Sequence, residues 1–189
     1  ELIARNIRPR DICTREAFEN AARIVAATGG STNGALHLPA MANEAGIAFD
    51  LFDVAEIFKT TPYVADLKPG GRYVARDMHE AGGIYMLMKT LAAEGFLHLD
   101  CLTVTGKTLG ENIDEVTWNP DQKVIYDART PITPTGGVVG LRGSLAPEGA
   151  IVKVAGMKRL QFTGTAKVFE REEDAFAAVE ANAIEEGTV

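Results

Sequence analysis

The chain has 189 residues, of which 46% are hydrophobic and 24% charged, a composition typical of a globular protein with one large domain or two small ones. Its net charge of -7 excludes nucleic acid as a partner, because phosphate binding requires clustered lysine and arginine. No apolar run approaches the roughly 20 residues that span a bilayer, so we expect a cytoplasmic protein without a membrane partner. Cys13 and Cys101 lie far apart and outside any Cys-x-x-Cys motif, which predicts two reduced thiols and neither a disulfide framework nor a zinc site.

The first regular pattern predicts an amphipathic helix over residues 15–27. Its apolar residues recur at the spacing of one helix face: Ala17, Phe18, Ala21, Ile24 and Val25. Thr14 is a natural N-cap for this helix. Gly29 or Gly30 supplies the left-handed residue at which such a helix ends.

The residues after these glycines form the candidate binding loop. Ser31, Thr32 and Asn33 open a second predicted helix over residues 32–45, and the free N–H groups of its first turn can accept a carboxylate or a phosphate. We therefore predict that these three residues lie close to a substrate. The alternative is a structural corner with ordinary capping, and the pattern alone favours that alternative because caps are far commoner than anion sites.

Helical and short extended patterns alternate up to residue 113. Gly46 ends the second helix, Pro39 is expected to kink it or delay its start, and Asp50 caps a third. Further helices are predicted over residues 73–81 and 84–93, a short buried strand that leads into a loop within residues 61–71, and a strand over residues 102–105. The pattern predicts an α/β fold, and we expect these elements to pack in layers around a sheet.

After residue 113 the sequence pattern predicts a different architecture. Its hydrophobic residues recur at a spacing closer to two residues, which is the period of a strand. Strands are predicted over residues 138–141, 150–154 and 166–169, followed by a helix over residues 172–182 with Ala175, Phe176 and Val179 on one face. We place one domain at residues 1–113, a linker at 114–135 and a second, β-rich domain at 136–189.

Other polar residues are weaker candidates for a site. Gly106-Lys-Thr108 lacks the earlier glycine of a phosphate-binding loop, so it predicts a turn before a helix. His37, His79 and His98 share no metal-ligand spacing. Three carboxylates are candidates for acid or base chemistry only if burial shifts their pKa, and solvated faces are the simpler explanation: Asp66, Asp77 and Glu80.

Several longer blocks of sequence occur in a fixed order along the chain. They are Gly29-Gly-Ser-Thr-Asn33, Leu36-His-Leu38, Ala65-Asp-Leu-Lys-Pro-Gly-Gly-Arg-Tyr73, Ala81-Gly-Gly83, Asp100-Cys-Leu-Thr-Val-Thr-Gly-Lys-Thr-Leu109 with Glu111-Asn112, Pro134-Thr-Gly-Gly137, and Leu145-Ala-Pro-Glu-Gly-Ala150 with Val152-Lys153. Together these blocks resemble the dihydroxy-acid dehydratase and sugar-acid dehydratase family over essentially the whole chain. Independent blocks in order are far more specific than one short motif.

Three later blocks distinguish the branches of this family. They are Val152-Lys-Val-Ala-Gly156, Phe162-Thr-Gly164, and Phe169-Glu170 ahead of Glu173-Asp-Ala175. They resemble the dihydroxy-acid dehydratase branch of branched-chain amino-acid biosynthesis, with the aldonic-acid and 6-phosphogluconate dehydratases as the alternative. The resemblance implies a hydro-lyase that converts a 2,3-dihydroxy carboxylic acid into a 2-oxo acid, with an iron–sulfur cluster, a magnesium ion and a homodimeric assembly.

The resemblance also implies that this chain is the middle part of a longer enzyme. The family's cluster cysteines, metal ligands and base serine belong to blocks that do not occur here, so no catalytic residue and no metal ligand is carried over. The implied architecture is the end of a layered α/β/α domain followed by the start of a swivelling, barrel-like β/β/α domain. We expect the fragment alone to be inactive and to bind no cluster through Cys13 and Cys101. A hypothesis of another class is a non-catalytic ligand-binding or interaction module of the same ancestry.

Overall fold

The computed structural model describes residues 2–154, 156–157 and 159–189. In chain order its elements are α1 Pro9–Ile12, α2 Arg15–Ala27, α3 Thr32–Ala45, α4 Leu51–Lys59, α5 Ala75–Glu80, α6 Gly83–Ala93, α7 Leu109–Asp114, β1 Val138–Gly143, β2 Ala146–Lys153 and α8 Glu172–Glu180. The fold is thus mixed α/β. The chain divides into two compact units, Glu1–Gly156 and Met157–Val189. None of the described helices has the length and hydrophobicity needed to cross a membrane.

Helices α2, α3 and α4 begin where the sequence predicts, because a side chain caps each of them. Thr14, Ser31 and Asp50 precede α2, α3 and α4, and each accepts a hydrogen bond from an N–H group in the first turn of its helix. These bonds satisfy donors that have no partner within a helix. The predicted bounds of α2 and α3 are confirmed.

The predicted left-handed glycines are confirmed as well. Gly29 and Gly30 have φ angles of 91° and 77°, and Gly46, which follows α3, has a φ of 78°. Glycine adopts this conformation without the steric cost that a Cβ imposes. Pro39 lies inside α3, which nevertheless begins at Thr32, so the proline does not delay the start of the helix.

Helix α2 lies between the two hydrophobic clusters of the first unit. Ala26 belongs to the cluster built around Phe18, Phe49, Val54, Phe58 and Val138. Ala27 belongs to the cluster that includes Val64, Met86, Leu87, Leu91 and Ile125. The predicted inward face is only partly correct, since Phe18 is buried but the most buried residues of α2 are Ala22, Ala26 and Ala27, each 0% exposed. Small side chains let both clusters pack closely against the helix.

Strands β1 and β2 form a two-stranded antiparallel sheet in which Val138 pairs with Lys153. Gly140 allows β1 to pack against α4, because a Cβ at this position would lie 2.4 Å from the Cβ of Ala55. At the end of the sheet a Cβ at Gly30 would lie 2.3 Å from Cγ2 of Val138. The sheet therefore presses directly on the loop between α2 and α3.

Three of the predicted strands do not form. The apolar run at residues 61–66 is buried, but it makes only isolated bridges, such as the one between Tyr63 and Thr133. Residues 102–105 make one bridge, from Leu102 to Thr108, because a turn closes there when the N–H of Thr103 donates to Lys107. Residues 166–169 form no strand. A strand requires a neighbour over several residues, and the described part of the chain supplies one only for β1 and β2.

The second unit contains α8 and one parallel bridge between Thr165 and Thr188. The predicted apolar face of α8 does not become buried, since Phe176 is 62% and Val179 61% exposed. A unit this short encloses too little volume to cover its own apolar side chains. Among the described residues the only sheet is the two-stranded one of β1 and β2, so no barrel closes here and the layered arrangement of the first part is not confirmed.

Replacing Gly30 with alanine should destabilise the fold more than replacing Gly46. Both glycines have a φ near 78°, so alanine costs each site about 1–2 kcal/mol for the left-handed backbone. A Cβ at Gly46 meets nothing within 4 Å, whereas one at Gly30 overlaps Val138, and such overpacking adds roughly 1–3 kcal/mol. Chemical denaturation of Gly30→Ala and Gly46→Ala measures the difference. Equal free energies of unfolding would show that the sheet does not press on the loop.

Candidate functional site

The predicted binding loop opens α3 as the sequence indicates. Ser31 is half-buried, and its Oγ accepts the N–H of Asn33 at 3.3 Å. Thr32 and Asn33 are exposed. Within the described ranges the N–H groups of Ser31 and Thr32 donate to no protein acceptor, and neither does the side chain of Thr32 or Asn33. The structure thus brings the three predicted residues together with two free backbone donors.

Lys153 reaches the same loop from strand β2. Its Nζ donates to the carbonyl oxygen of Gly30 at 3.0 Å, and no carboxylate of the described residues lies within salt-bridge distance of it. The first turn of α3 contains no acidic residue. The lysine ammonium therefore lies one residue before the N-cap of α3, on the carbonyl side of the trans peptide between Gly30 and Ser31.

Tyr63 lies on the other side of the loop. A Cβ at Gly29 would lie 3.1 Å from Cε2 and 3.3 Å from the hydroxyl oxygen of Tyr63, so the ring packs against the bare backbone of that glycine. Tyr63 is only 5% exposed, and its hydroxyl lies near the backbone of Leu67 without making a hydrogen bond of normal geometry among the described residues. Burial, together with the nearby charge of Asp66, raises the pKa of Tyr63, which keeps it a neutral O–H donor.

The carboxylates that the sequence offers for acid or base chemistry have structural partners. Asp66 is 8% exposed, and it accepts hydrogen bonds from Nε of Arg72 at 2.6 Å and from its backbone N–H at 3.0 Å. Asp77 accepts the N–H of Val74 at 2.8 Å at the start of α5. Glu80 is exposed and pairs with an arginine one turn before it in the same helix. The prediction of a solvated face holds for Glu80 but is wrong for Asp66, which is buried and paired with Arg72.

The histidines and cysteines form no common centre among the residues that the structure describes. His98 contacts Glu19, with 2.8 Å between Nε2 and Oε2, and Cys101 accepts a hydrogen bond from Asn20 at 3.6 Å. Burial raises the pKa of the Cys101 thiol, with a smaller contribution from Asp100. No group of three or more His, Cys, Asp or Glu in the described ranges is placed to hold a metal ion.

The turn at residues 106–108 is structural as well. Thr108 caps α7 and forms a reciprocal capping box with Glu111. Lys107 pairs with Glu115 at 2.8 Å. The prediction of a turn that leads into a helix is therefore confirmed.

Sequence reasoning missed Lys153 and Tyr63 as neighbours of the loop. Lys153 is a single charge in the otherwise apolar run at residues 150–154, and Tyr63 lies in an apolar run. A lysine among β-branched residues was the only local signal. Its contact with Gly30 depends on strand pairing and packing over a separation of 123 residues, which no local pattern encodes.

Comparison with known proteins gives two matches to one family. The family description "Dihydroxy-acid/6-phosphogluconate dehydratase N-terminal" matches residues 1–112, and the corresponding C-terminal description matches residues 123–189. The loop lies in the first match and Lys153 in the second. The contact between Lys153 and Gly30 thus joins the two matched segments.

Similar curated proteins share extensive identity. Dihydroxy-acid dehydratase 2 of Bradyrhizobium diazoefficiens is 70% identical over the whole chain, which covers 33% of that protein. Dihydroxy-acid dehydratase 2 of Mesorhizobium japonicum is 67% identical, again over the whole chain and 32% of the relative. Dihydroxy-acid dehydratase of Parvibaculum lavamentivorans is 65% identical over the whole chain and 33% of its length.

The chain therefore spans about a third of the length of the curated relatives it matches. The two family matches, at residues 1–112 and 123–189, leave only a short segment between them unmatched. The chain belongs to the dihydroxy-acid/6-phosphogluconate dehydratase family.

Proposed function

We propose that the full-length protein containing this chain is a dihydroxy-acid dehydratase, a hydro-lyase of branched-chain amino-acid biosynthesis. The support is 65–70% identity to three proteins of that name over the whole chain. The family description also includes 6-phosphogluconate dehydratase, so a sugar-acid substrate is the second candidate. Resemblance to the family further supports a homodimer and a small dihydroxy acid as the ligand.

The reaction removes water from a 2,3-dihydroxy carboxylic acid. C2 loses its proton, the C3 hydroxyl leaves, and the resulting enol tautomerises to the 2-oxo acid. Hydroxide is a poor leaving group and a C–H beside a carboxylate is a weak acid, so the substrate must be held in one orientation. Every substrate of this class carries a carboxylate that a protein can use for that purpose.

This chain contributes the loop at the start of α3 to that task. The observation that supports this role is that the N–H groups of Ser31 and Thr32 are free, at a helix end whose first turn has no acidic residue. Such a helix end binds a carboxylate. Ser31, Thr32 and Asn33 then lie next to the substrate, with the exposed Asn33 amide available for a second hydrogen bond.

The iron–sulfur cluster and the magnesium ion implied by the family do not fit the residues present here. In the described ranges no three potential ligands cluster, and Cys101 is engaged by Asn20. We therefore assign both groups to parts of the enzyme outside this chain and derive no step through them. A cluster requires a set of about four thiolate or equivalent ligands.

The domain boundaries remain part of this proposal. Residues 1–113 would complete a layered α/β/α domain, 114–135 would cross over, and 136–189 would begin the swivelling β-rich domain. The family matches end at residue 112 and resume at residue 123, which supports a boundary in this region.

The isolated 189-residue chain should not dehydrate 2,3-dihydroxyisovalerate, whereas the full-length protein should. The physical reason is that the loop orients a carboxylate but the described residues supply no metal ligand set. The measurement is formation of the 2-oxo acid under anaerobic conditions, with 6-phosphogluconate as the comparison substrate. Turnover by the isolated chain would contradict the assignment of the catalytic groups. A full-length protein that binds the acid without turnover would favour the binding-module hypothesis.

In the full-length enzyme, Asn33→Ala should reduce kcat/KM by about ten-fold or more while changing stability little, since a lost orienting contact costs roughly 1.4 kcal/mol or above. The structure supplies the matched control, because Ser31 rather than Asn33 caps α3 with its side chain. Ser31→Ala should therefore cost about 1 kcal/mol of stability. Thermal unfolding and kcat/KM are measured side by side. Near-full activity in Asn33→Ala would make the loop a structural corner.

A further inference from the structure

We infer that the cleft between the C-terminal half of α6 and residues 118–129 is a binding site for a free α-amino acid with an apolar side chain. The cleft has a volume of about 440 Å³, which is in the range of small-molecule sites. None of its lining residues belongs to the loop at the start of α3, so the inference does not depend on the proposed function. All of them lie in the first compact unit, and they include Lys89, Thr90, Glu94, Trp118, Asp127 and Arg129.

Lys89 brings a positive charge to the cleft without a matching negative one. Its Nζ donates to the carbonyl oxygen of Ile113 at 3.3 Å, and no carboxylate of the described residues lies within salt-bridge distance of it. An ammonium has three donors, so two remain. Lys89 is half-buried, and a charge that is partly removed from water is costly unless it is paired. A carboxylate bound in the cleft would pair with it.

Thr90 adds a buried hydroxyl donor to the wall of the same cleft. Thr90 is 7% exposed, and its Oγ1 accepts the N–H of Ala128 at 2.8 Å. Its own O–H donates to no acceptor in the described part of the chain, whereas the hydroxyls of Thr28 and Thr61 each donate to a carbonyl one turn back. Buried donors are normally hydrogen-bonded. An acceptor oxygen in the cleft would satisfy the hydroxyl of Thr90.

The two acidic residues of the cleft differ in how they are paired. Asp127 accepts Nε and Nη2 of Arg129 at 3.0 and 2.6 Å, and the hydrogen bonds from Arg129 lower the pKa of Asp127 to about 2. Glu94 lies 3.8 Å from Nε of the same arginine, which is too far for a hydrogen bond. It is also the C-cap of α6, whose last turn contains no basic residue. A carboxylate at the negative end of a helix favours a cation beside it.

The groups that stay unmatched define the ligand. With Asp127 and Arg129 paired to each other, the described residues of the cleft leave an ammonium, a hydroxyl proton and a carboxylate. A ligand with both a carboxylate and an ammonium complements them. Trp118, which packs against the core, and Ala93 supply apolar surface in the same cleft. An α-amino acid with an apolar side chain has all three features, whereas a simple carboxylic acid would leave Glu94 unmatched.

The test uses the full-length protein and L-phenylalanine as the probe, with binding measured by isothermal titration calorimetry. Two analogues of similar size each lack one charge: 3-phenylpropanoate has no ammonium, and 2-phenylethylamine has no carboxylate. L-Phenylalanine should bind with a Kd of about 1 mM or below. Each analogue should bind about ten-fold more weakly or worse, because it leaves one charged group of the cleft unmatched.

Lys89→Met and Glu94→Gln remove the two unmatched charges. Each should raise the Kd of L-phenylalanine by about ten-fold or more, as expected for loss of a charge-assisted hydrogen bond, without lowering the melting temperature of the protein alone. Lys123→Met and Glu44→Gln are the matched controls. Lys123 is exposed in the same unit, and Glu44, like Glu94, has an arginine at 3.8 Å. Both controls should bind L-phenylalanine as the wild type does.

Absence of L-phenylalanine binding up to about 10 mM would overturn the inference. Equal binding of 3-phenylpropanoate and L-phenylalanine would overturn the assignment to an amino acid. A Kd within about two-fold of wild type in Lys89→Met or Glu94→Gln would place the binding elsewhere in the protein and would overturn the inference as well. Calorimetry requires no turnover, so the result stands whether or not the protein dehydrates a dihydroxy acid.

Discussion

The contact between Val138 and Gly30 is the constraint on which the candidate site depends. A Cβ at Gly30 would lie 2.3 Å from Cγ2 of Val138, so only glycine permits the sheet to approach the loop this closely. The same glycine has a φ of 77°, a conformation that lets the chain leave α2 and enter α3 within a few residues. Because Val138 pairs with Lys153, the contact also places a lysine ammonium at the beginning of α3.

The start of α3 is positive, whereas the chain as a whole is negative. The chain has a net charge of -7, and several of its carboxylates are used locally, as N-caps or in pairs with arginine such as Asp66 with Arg72. The first turn of α3 carries no acidic residue, and no carboxylate of the described residues pairs with Lys153. A positive position on an acidic protein attracts anions at short range. This position lies at the Gly29-Gly-Ser-Thr-Asn33 block, where the sequence predicts the binding loop.

The sequence predicts those parts of the fold that depend on local interactions. The caps Thr14, Ser31 and Asp50 and the terminal glycine Gly46 are correct, because a cap bonds to N–H groups within its own turn. The strands predicted at residues 102–105 and 166–169 are wrong, since a strand depends on partners far along the chain. The contact of Lys153 with Gly30 was not predicted, because it also joins residues far apart in the sequence. The loop at Ser31, Thr32 and Asn33 forms where the sequence predicts it, its role as a site stays a prediction, and the side chains around it are placed by packing.

Helix α3 carries large apolar side chains on its exposed surface. Its residues include Leu36, 67% exposed, and Met41, 51% exposed, and its only acidic or basic residues are His37 and Glu44. A helix with so few charges is typical of one that is covered on most sides. The chain spans about a third of the length of the relatives it matches. In the full-length enzyme proposed above, a segment that covered this exposed face would also border Asn33, which lies in the first turn of α3.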